Sequence, residues 1–134
     1  MCLLKQYRLE NSVKFCGTSD SIKDKLLSSS IFAFPSKYEG FPLALTEAMA
    51  AGLPAIGYKS CPGVNELIID GYNGFLCEDG IDDFAEKLKI LMQDAVLRKK
   101  MGQNARESMK QFAPEKIWDE WEDLINKVVE ESKK

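Results

Sequence analysis

Two carboxylates, Glu39 and Glu47, stand with seven residues between them, and Gly40 and Pro42 follow directly on the first. Ser36 to Gly52 reads as a strand end, a glycine-containing loop and a helix that starts at Pro42. A helix N-terminus offers unpaired N–H groups and about half a positive charge, which suits a phosphate. Gly40 lets backbone approach a ligand closely, because no Cβ stands in the way. Glu47 lies in a small, apolar helix, Leu43 to Ala51, where burying an unpaired carboxylate is costly. Two adjacent ribose hydroxyls would satisfy it. Composition alone leaves an equal reading, with Glu47 on a solvent face or paired with a lysine. For Glu39 the plain reading, a solvated loop acid, is the commoner one. Physics alone reaches a phosphate-binding crevice and stops there.

The elements that must position these groups alternate between short apolar runs and helical periods, which argues for an α/β domain with parallel strands. Val13 to Cys16, Ile31 to Phe34, Ala55 to Tyr58 and Gly74 to Cys77 are the strand candidates. In open α/β sheets, ligands bind beyond the carboxyl ends of the strands. Helices are expected at about Ser21 to Ser28, at Leu43 to Ala51 with Gly52 just past its end, and as a short turn at Val64 to Ile68. A further helix carries Ile81, Phe84, Ala85, Leu88, Leu91 and Met92 on one face, with Asp79 as its N-cap. Met101, Ala105, Met109 and Phe112 mark the next. The last, about 114–132, carries Ile117, Trp121, Leu124, Ile125 and Val128, and Trp118 and Trp121 are expected as packing anchors. Residues 1–134 read as one unit without repeat or linker.

Composition narrows the chemistry. The chain has 134 residues, 45% hydrophobic and 29% charged, with a net charge of −3. That describes an ordinary globular protein and not a nucleic-acid binder. No apolar run approaches the length of a membrane span, so cytoplasmic residence is the default expectation. There is no histidine, which excludes imidazole catalysis and histidine metal ligands within this chain. Cys2, Cys16, Cys61 and Cys77 lack CxxC spacing and read as reduced, small hydrophobes. The acids Glu78, Asp79, Asp82 and Asp83 lack the ordered spacing of a calcium loop and fit a charged helix start. Glu66 reads most simply as a helix-start acid.

The spacing of Glu39 and Glu47 resembles the EX7E element of glycosyltransferase family 4, the group 1 glycosyltransferases, whose GT-B fold has two facing Rossmann-like domains. Phe34-Pro35-Ser36, Glu39-Gly40-Phe41-Pro42, Thr46-Glu47-Ala48-Met49-Ala50 and Gly52-Leu53-Pro54 all stand in family register. So do Val13 to Gly17, Gly63 to Ile68, Asp70-Gly71 and Asn73-Gly74, and the likeness runs over about Val13 to Phe112. It implies an incomplete Rossmann-like parallel sheet flanked by helices, part of the C-terminal, donor-binding domain. It further implies a sugar transfer from a UDP-, GDP- or ADP-sugar with retention of anomeric configuration, in polysaccharide or glycolipid biosynthesis. Glu47 would take the ribose hydroxyls. The N–H groups of Gly40, Phe41 and Leu43 would face the sugar and the diphosphate, Thr46 would touch the phosphate region, and Glu39 would be the catalytic carboxylate on the donor sugar. No metal and no cofactor is expected.

The family's diphosphate-binding Arg and Lys fall on an earlier segment that nothing before Val13 supplies, and Lys37 is not their counterpart. An N-terminal domain for a glycan or lipid-linked acceptor is missing too, so the sequence resembles a fragment, expected to be inactive alone. In the family's strand order, 3-2-1-4-5-6, Val13 to Cys16 is strand 3, and Ile31 to Phe34, strand 4, loses its inner neighbours. Strand 3 should then move in beside strand 4, or two chains should pair edge to edge as a homodimer. Met1 to Asn11 resembles the helix before strand 3. The complete protein is expected in the cytoplasm, peripheral to the inner face of the membrane. The alternative reading is a nucleotide-binding remnant without turnover; a GT-B sugar epimerase fits less well, since its acids and histidines are absent.

Overall fold

The computed structural model describes residues 3–132. Three strands, β1 (Phe32–Phe34), β2 (Ala55–Tyr58) and β3 (Gly74–Cys77), pair in parallel in the order β1-β2-β3. Phe32 stands opposite Ala55 and Phe34 opposite Gly57, while Tyr58 stands opposite Cys77. All four residues of β2 are buried, as a central parallel strand covered on both faces requires. Helix α3 (Leu43–Ala50) connects β1 to β2, and the single turn α4 (Val64–Leu67) lies between β2 and β3. Before them come α1 (Leu3–Gln6) and α2 (Ile22–Leu27). After them come α5 (Ile81–Gln93), α6 (Ala95–Met109), a 3₁₀ turn (Lys110–Phe112) and α7 (Pro114–Ser132). Among the described residues no helix is long and apolar enough to cross a membrane.

The core forms where α3, α5 and α6 press on the sheet. Leu45 and Met49 of α3, Ile56 of β2, Leu91 of α5 and Ala105 of α6 have no exposed surface. Burying one such large side chain stabilises the fold by about 1.5–3 kcal/mol. Helices α3 and α6 meet backbone to backbone. Gly52 follows α3 with φ +89, and a Cβ on Gly102 of α6 would strike its carbonyl oxygen. A buried amide ties the loop before β3 to α6: Asn73 accepts from the Ile69 N–H and donates to the Leu67 carbonyl and to Ser108. Burial pushes the Cys77 thiol up to about 11, so it stays protonated and packs as an apolar group.

Several expectations fail, each for a physical reason. Val13 to Cys16 forms no strand and does not move in beside β1; Phe15 is 79% exposed. An apolar run becomes a strand only where a neighbour supplies ladder partners, and none of the described residues lies beside it in that way. The expected N-terminal helix reduces to α1, with Met1 and Cys2 outside the described residues. Cys16 is exposed, unlike Cys61 and Cys77, so it is not a core hydrophobe. Gly80, not Asp79, occupies the N-cap of α5, and Ile81, Ala85 and Met92 of its expected apolar face are exposed, so that Leu91 alone of that face is fully buried. The Asp79 carboxylate instead accepts from the Ser60 hydroxyl, and Glu78 pairs with Lys59. Asp83 accepts from the Glu78 N–H at 2.7 Å, the main reason its carboxyl sits below the usual range, and lies 3.2 Å from Lys87. Trp118 and Trp121 are no packing anchors here, being 71% and 55% exposed. Helix α7 buries no residue, because it leaves the body at the 3₁₀ turn and projects beyond the elements that could cover it.

The Gly52–Gly102 contact leaves no room for a methyl group. Gly102→Ala is expected to lower unfolding free energy by about 1–3 kcal/mol, and Gln103→Ala, one residue on and exposed, to change it by less than about 0.5 kcal/mol. Urea titration of the two variants measures both.

Candidate functional site

Parallel pairing of β1 with β2 puts the loops that follow them at the same end of the sheet. The first loop runs from Pro35 through Glu39 and Gly40 to the N-cap of α3, Pro42. The second runs from Lys59 to Gly63, the N-cap of α4. The two are in close contact. Gly63 has φ +78, and a Cβ there would stand 2.5 Å from the Gly40 carbonyl oxygen and 3.1 Å from Pro42 Cδ. Glycine is thus required at this position both by backbone conformation and by space. The Cys61 thiol, fully buried, lies against the backbone N–H groups of Glu39 and Val64. Burial pushes that thiol up, the Glu39 carboxylate adds to the effect, and the two N–H groups oppose it.

Of the residues expected to form a site, Glu39 is half-buried, and its Oε1 accepts from the Ser36 hydroxyl at 2.6 Å. Gly40 and Phe41 are exposed beside it. The Phe41 ring meets Phe112 edge to face, with centroids 5.4 Å apart. No acceptor among the described residues meets the N–H groups of Gly40, Phe41, Leu43 or Ala44, and no side chain caps α3. Those N–H groups and the helix dipole make this end of α3 receptive to an anion. Thr46 donates its hydroxyl to the Leu43 carbonyl at 2.8 Å, so it would have to give up that bond to donate to a phosphate.

Glu47 is exposed, on the side of α3 away from the buried Leu45, Ala48 and Met49. It is therefore not a carboxylate forced into a core; its apolar neighbours Leu43 and Ala50 are exposed along with it. Two clefts share it. One, of about 280 Å³, is lined by Phe41, Leu43, Thr46, Glu47, Ala50, Met109 and Phe112. The other, of about 410 Å³, lies between α2, α3 and α6, lined by Ile22, Lys23, Leu26 and Leu27 of α2, Glu47 of α3 and Arg106 of α6 among others. Glu47 and Phe41 thus border one cleft, next to the Gly40 loop, while Glu39 lines neither. The Glu47 carboxylate has no ion-pair or hydrogen-bond partner among the described residues, and no three acidic or cysteine side chains there gather as metal ligands.

Sequence reasoning missed Arg106, Cys61 and the Ser36–Glu39 bond. Arg106 follows the core residue Ala105, and its position gave no sign that it would face α3. Ser36 lies within a family motif and Cys61 between two of them, but only the folded loops show what they touch.

Residues 1–108 match the family model of the glycosyl transferases group 1. The chain belongs to that family. Among similar proteins, the N-acetyl-alpha-D-glucosaminyl L-malate synthase of Bacillus anthracis is 37% identical over 98% of this chain and 35% of its own length. An amylovoran biosynthesis glycosyltransferase of Erwinia amylovora is 33% identical over 92% of this chain and 35% of its own length. The crystal structure of a mutant TarM from S. aureus, in complex with UDP, alpha-GlcNAc-glycerol and fondaparinux, superimposes with a TM-score of 0.85 at 29% identity. It covers 92% of this chain and 26% of that one. This group 1 chain therefore spans about a third of the length of the curated relatives it matches. Its three parallel strands and flanking helices are those of a GT-B C-terminal domain.

The contact between the two loops yields a sharp test. Gly63→Ala would need a non-glycine residue at φ +78 and a methyl group 2.5 Å from the Gly40 oxygen. It is expected to cost about 1–3 kcal/mol and to shift the amide resonances of Gly40 and Phe41, read by urea titration and by ¹⁵N–¹H spectra.

Proposed function

We propose that this chain is the donor-binding part of a retaining, metal-independent glycosyltransferase that takes its sugar from a nucleotide-sugar. The observation that carries this reading is the row of unpartnered N–H groups at the start of α3, with Glu39 before it and the unpartnered Glu47 along it. A diphosphate would lie against the N–H groups of Gly40, Phe41 and Leu43, which stabilise the charge that builds on the leaving group. Glu47 would accept hydrogen bonds from the ribose hydroxyls, with the Phe41 side of its cleft open towards the phosphates. Glu39 would hold hydroxyls of the donor sugar while the bond to the diphosphate lengthens. Thr46, once released from the Leu43 carbonyl, would add a donor near the phosphates.

UDP in the TarM complex supports a nucleotide donor for this chain, and the alpha-linked product named for the Bacillus anthracis relative is in keeping with retention. The amylovoran relative supports a place in polysaccharide biosynthesis. Given the third of the relatives' length that the chain spans, we infer that the acceptor, a glycan or lipid-linked sugar, is held by a second domain and that the chain alone transfers nothing. The transferase would work in the cytoplasm, peripheral to the membrane. In the full-length protein carrying this chain, Glu47→Ala is expected to lower kcat/KM for the nucleotide-sugar at least about 100-fold, as the loss of a doubly hydrogen-bonded charge implies. Glu86→Ala, on the exposed side of α5, should leave it within about two-fold. EDTA should not change the rate. Equal effects of the two substitutions, or a rate restored only by manganese, would refute the reading.

The open edge of β1 bears on association. Phe32 donates its N–H to Pro54 beside β2, so by strand alternation the Ala33 N–H points outward. An exposed edge of this kind is a template for another strand, and we infer that the 134-residue chain pairs through it as a homodimer. Light scattering after size exclusion should give twice the monomer mass, and Ala33→Pro, which removes the outward donor but not the β2 ladder, should return the monomer. A monomer before the substitution would end this part of the proposal.

A further inference from the structure

We propose that Ser36 is a positioning residue for Glu39, holding one carboxylate oxygen so that the other is presented to the donor sugar. The inference rests on the donor-site reading above. A loop glutamate has three rotatable side-chain bonds, and a carboxylate that must meet a particular hydroxyl works only if its geometry is fixed beforehand. The loop after β2 packs against the Glu39 segment, with the buried Cys61 thiol beside it. Glu39 Oε1 takes the Ser36 hydroxyl at 2.6 Å, within the range of short, charge-assisted O–H···O⁻ bonds. Pro35 before Ser36 restricts the backbone as the chain leaves β1, both Ser36 and Glu39 are half-buried, and the other acceptor in reach of the Ser36 hydroxyl, the Tyr38 carbonyl, is farther away at 3.4 Å. Gly63, against the Gly40 carbonyl, braces the next residue of the same loop.

This arrangement occupies Oε1 and leaves Oε2 without a protein donor among the described residues. A carboxylate with one oxygen fixed and one free accepts from a sugar hydroxyl in one direction, instead of sampling several. Ser36 touches neither donor nor leaving group in this reading; it acts through Glu39. The contact is one that a threonine hydroxyl can also make and an alanine cannot.

The test uses the full-length protein carrying this chain, with UDP-N-acetylglucosamine, UDP-glucose and GDP-mannose, each beside its free nucleoside diphosphate. Calorimetry gives the dissociation constants, and steady-state transfer gives kcat and KM for whichever sugar nucleotide is used. Ser36→Ala is expected to lower kcat about ten-fold or more, the weight of one hydrogen bond to a charged group. Affinity for the free diphosphate and the melting temperature should stay as in the unsubstituted protein, and Ser36→Thr should restore most of the rate. An unchanged kcat in Ser36→Ala, alongside a large loss in Glu39→Gln, would overturn the role of Ser36 while leaving the donor site standing. A parallel loss of free-diphosphate affinity and melting temperature, not rescued by threonine, would make Ser36 merely structural and likewise overturn it. Absence of binding by every member of the panel to the unsubstituted protein would instead overturn the donor site itself, and the role of Ser36 with it.

Discussion

The parallel pairing of β1 with β2 is the constraint on which the site depends. Two parallel neighbours send their following loops out at the same end of the sheet, and here those loops lock together. Gly63 lies on the Gly40 carbonyl, and the Cys61 thiol lies under the Glu39 N–H. Neither loop would hold its shape alone, since each is short and largely exposed. Together they fix where α3 begins, and therefore where its unpartnered N–H groups point. The register that sets Phe34 opposite Gly57 decides this alignment; a slip of one residue would separate Gly63 from Gly40.

Charge at this end of the sheet is arranged with little cost. Glu39 is half-buried but accepts from Ser36, and Glu47 stays in solvent at the border of two clefts. An isolated buried carboxylate would cost several kcal/mol, and the fold avoids one at both positions. Helix α3 manages this by turning Leu45, Ala48 and Met49 inward and Leu43, Glu47 and Ala50 outward. The fully exposed residues of α3 are apolar apart from Glu47. Arg106 and Lys23 supply cationic groups to the same cleft from α6 and α2.

The two ends of the chain contrast with this body. Helices α5 and α6 close over the sheet through a buried seam, down to the contact of Gly102 with Gly52. Helix α7 carries as strong an apolar stripe and buries none of it. The difference is one of reach: α5 and α6 return across the sheet, whereas α7 departs from the 3₁₀ turn with its Trp121 and Ile125 each 55% exposed. Val13 to Cys16 is the same case for a strand, with no ladder partner among the described residues.

Local pattern determined much of this protein. The ends of β2 and β3, the span of α3 with Gly52 after it, and the helical face of Met101, Ala105 and Met109 were legible, because short-range sterics and periodicity decide them. The resemblance over Glu39 to Gly52 likewise gave the family, since an ordered series of motifs carries far more information than any one spacing. What sequence could not decide was everything that depends on who stands opposite. Asp79 has the chemistry of an N-cap, yet Ser60 claims its carboxylate and Gly80 takes the cap. Trp118 has the chemistry of an anchor, yet it stands 71% exposed. Glu47 sits among apolar neighbours in sequence, yet lies in solvent, because the helix turns that side away from the sheet. Burial, partners and pairing are properties of two segments at once, and only the tertiary structure chooses the second.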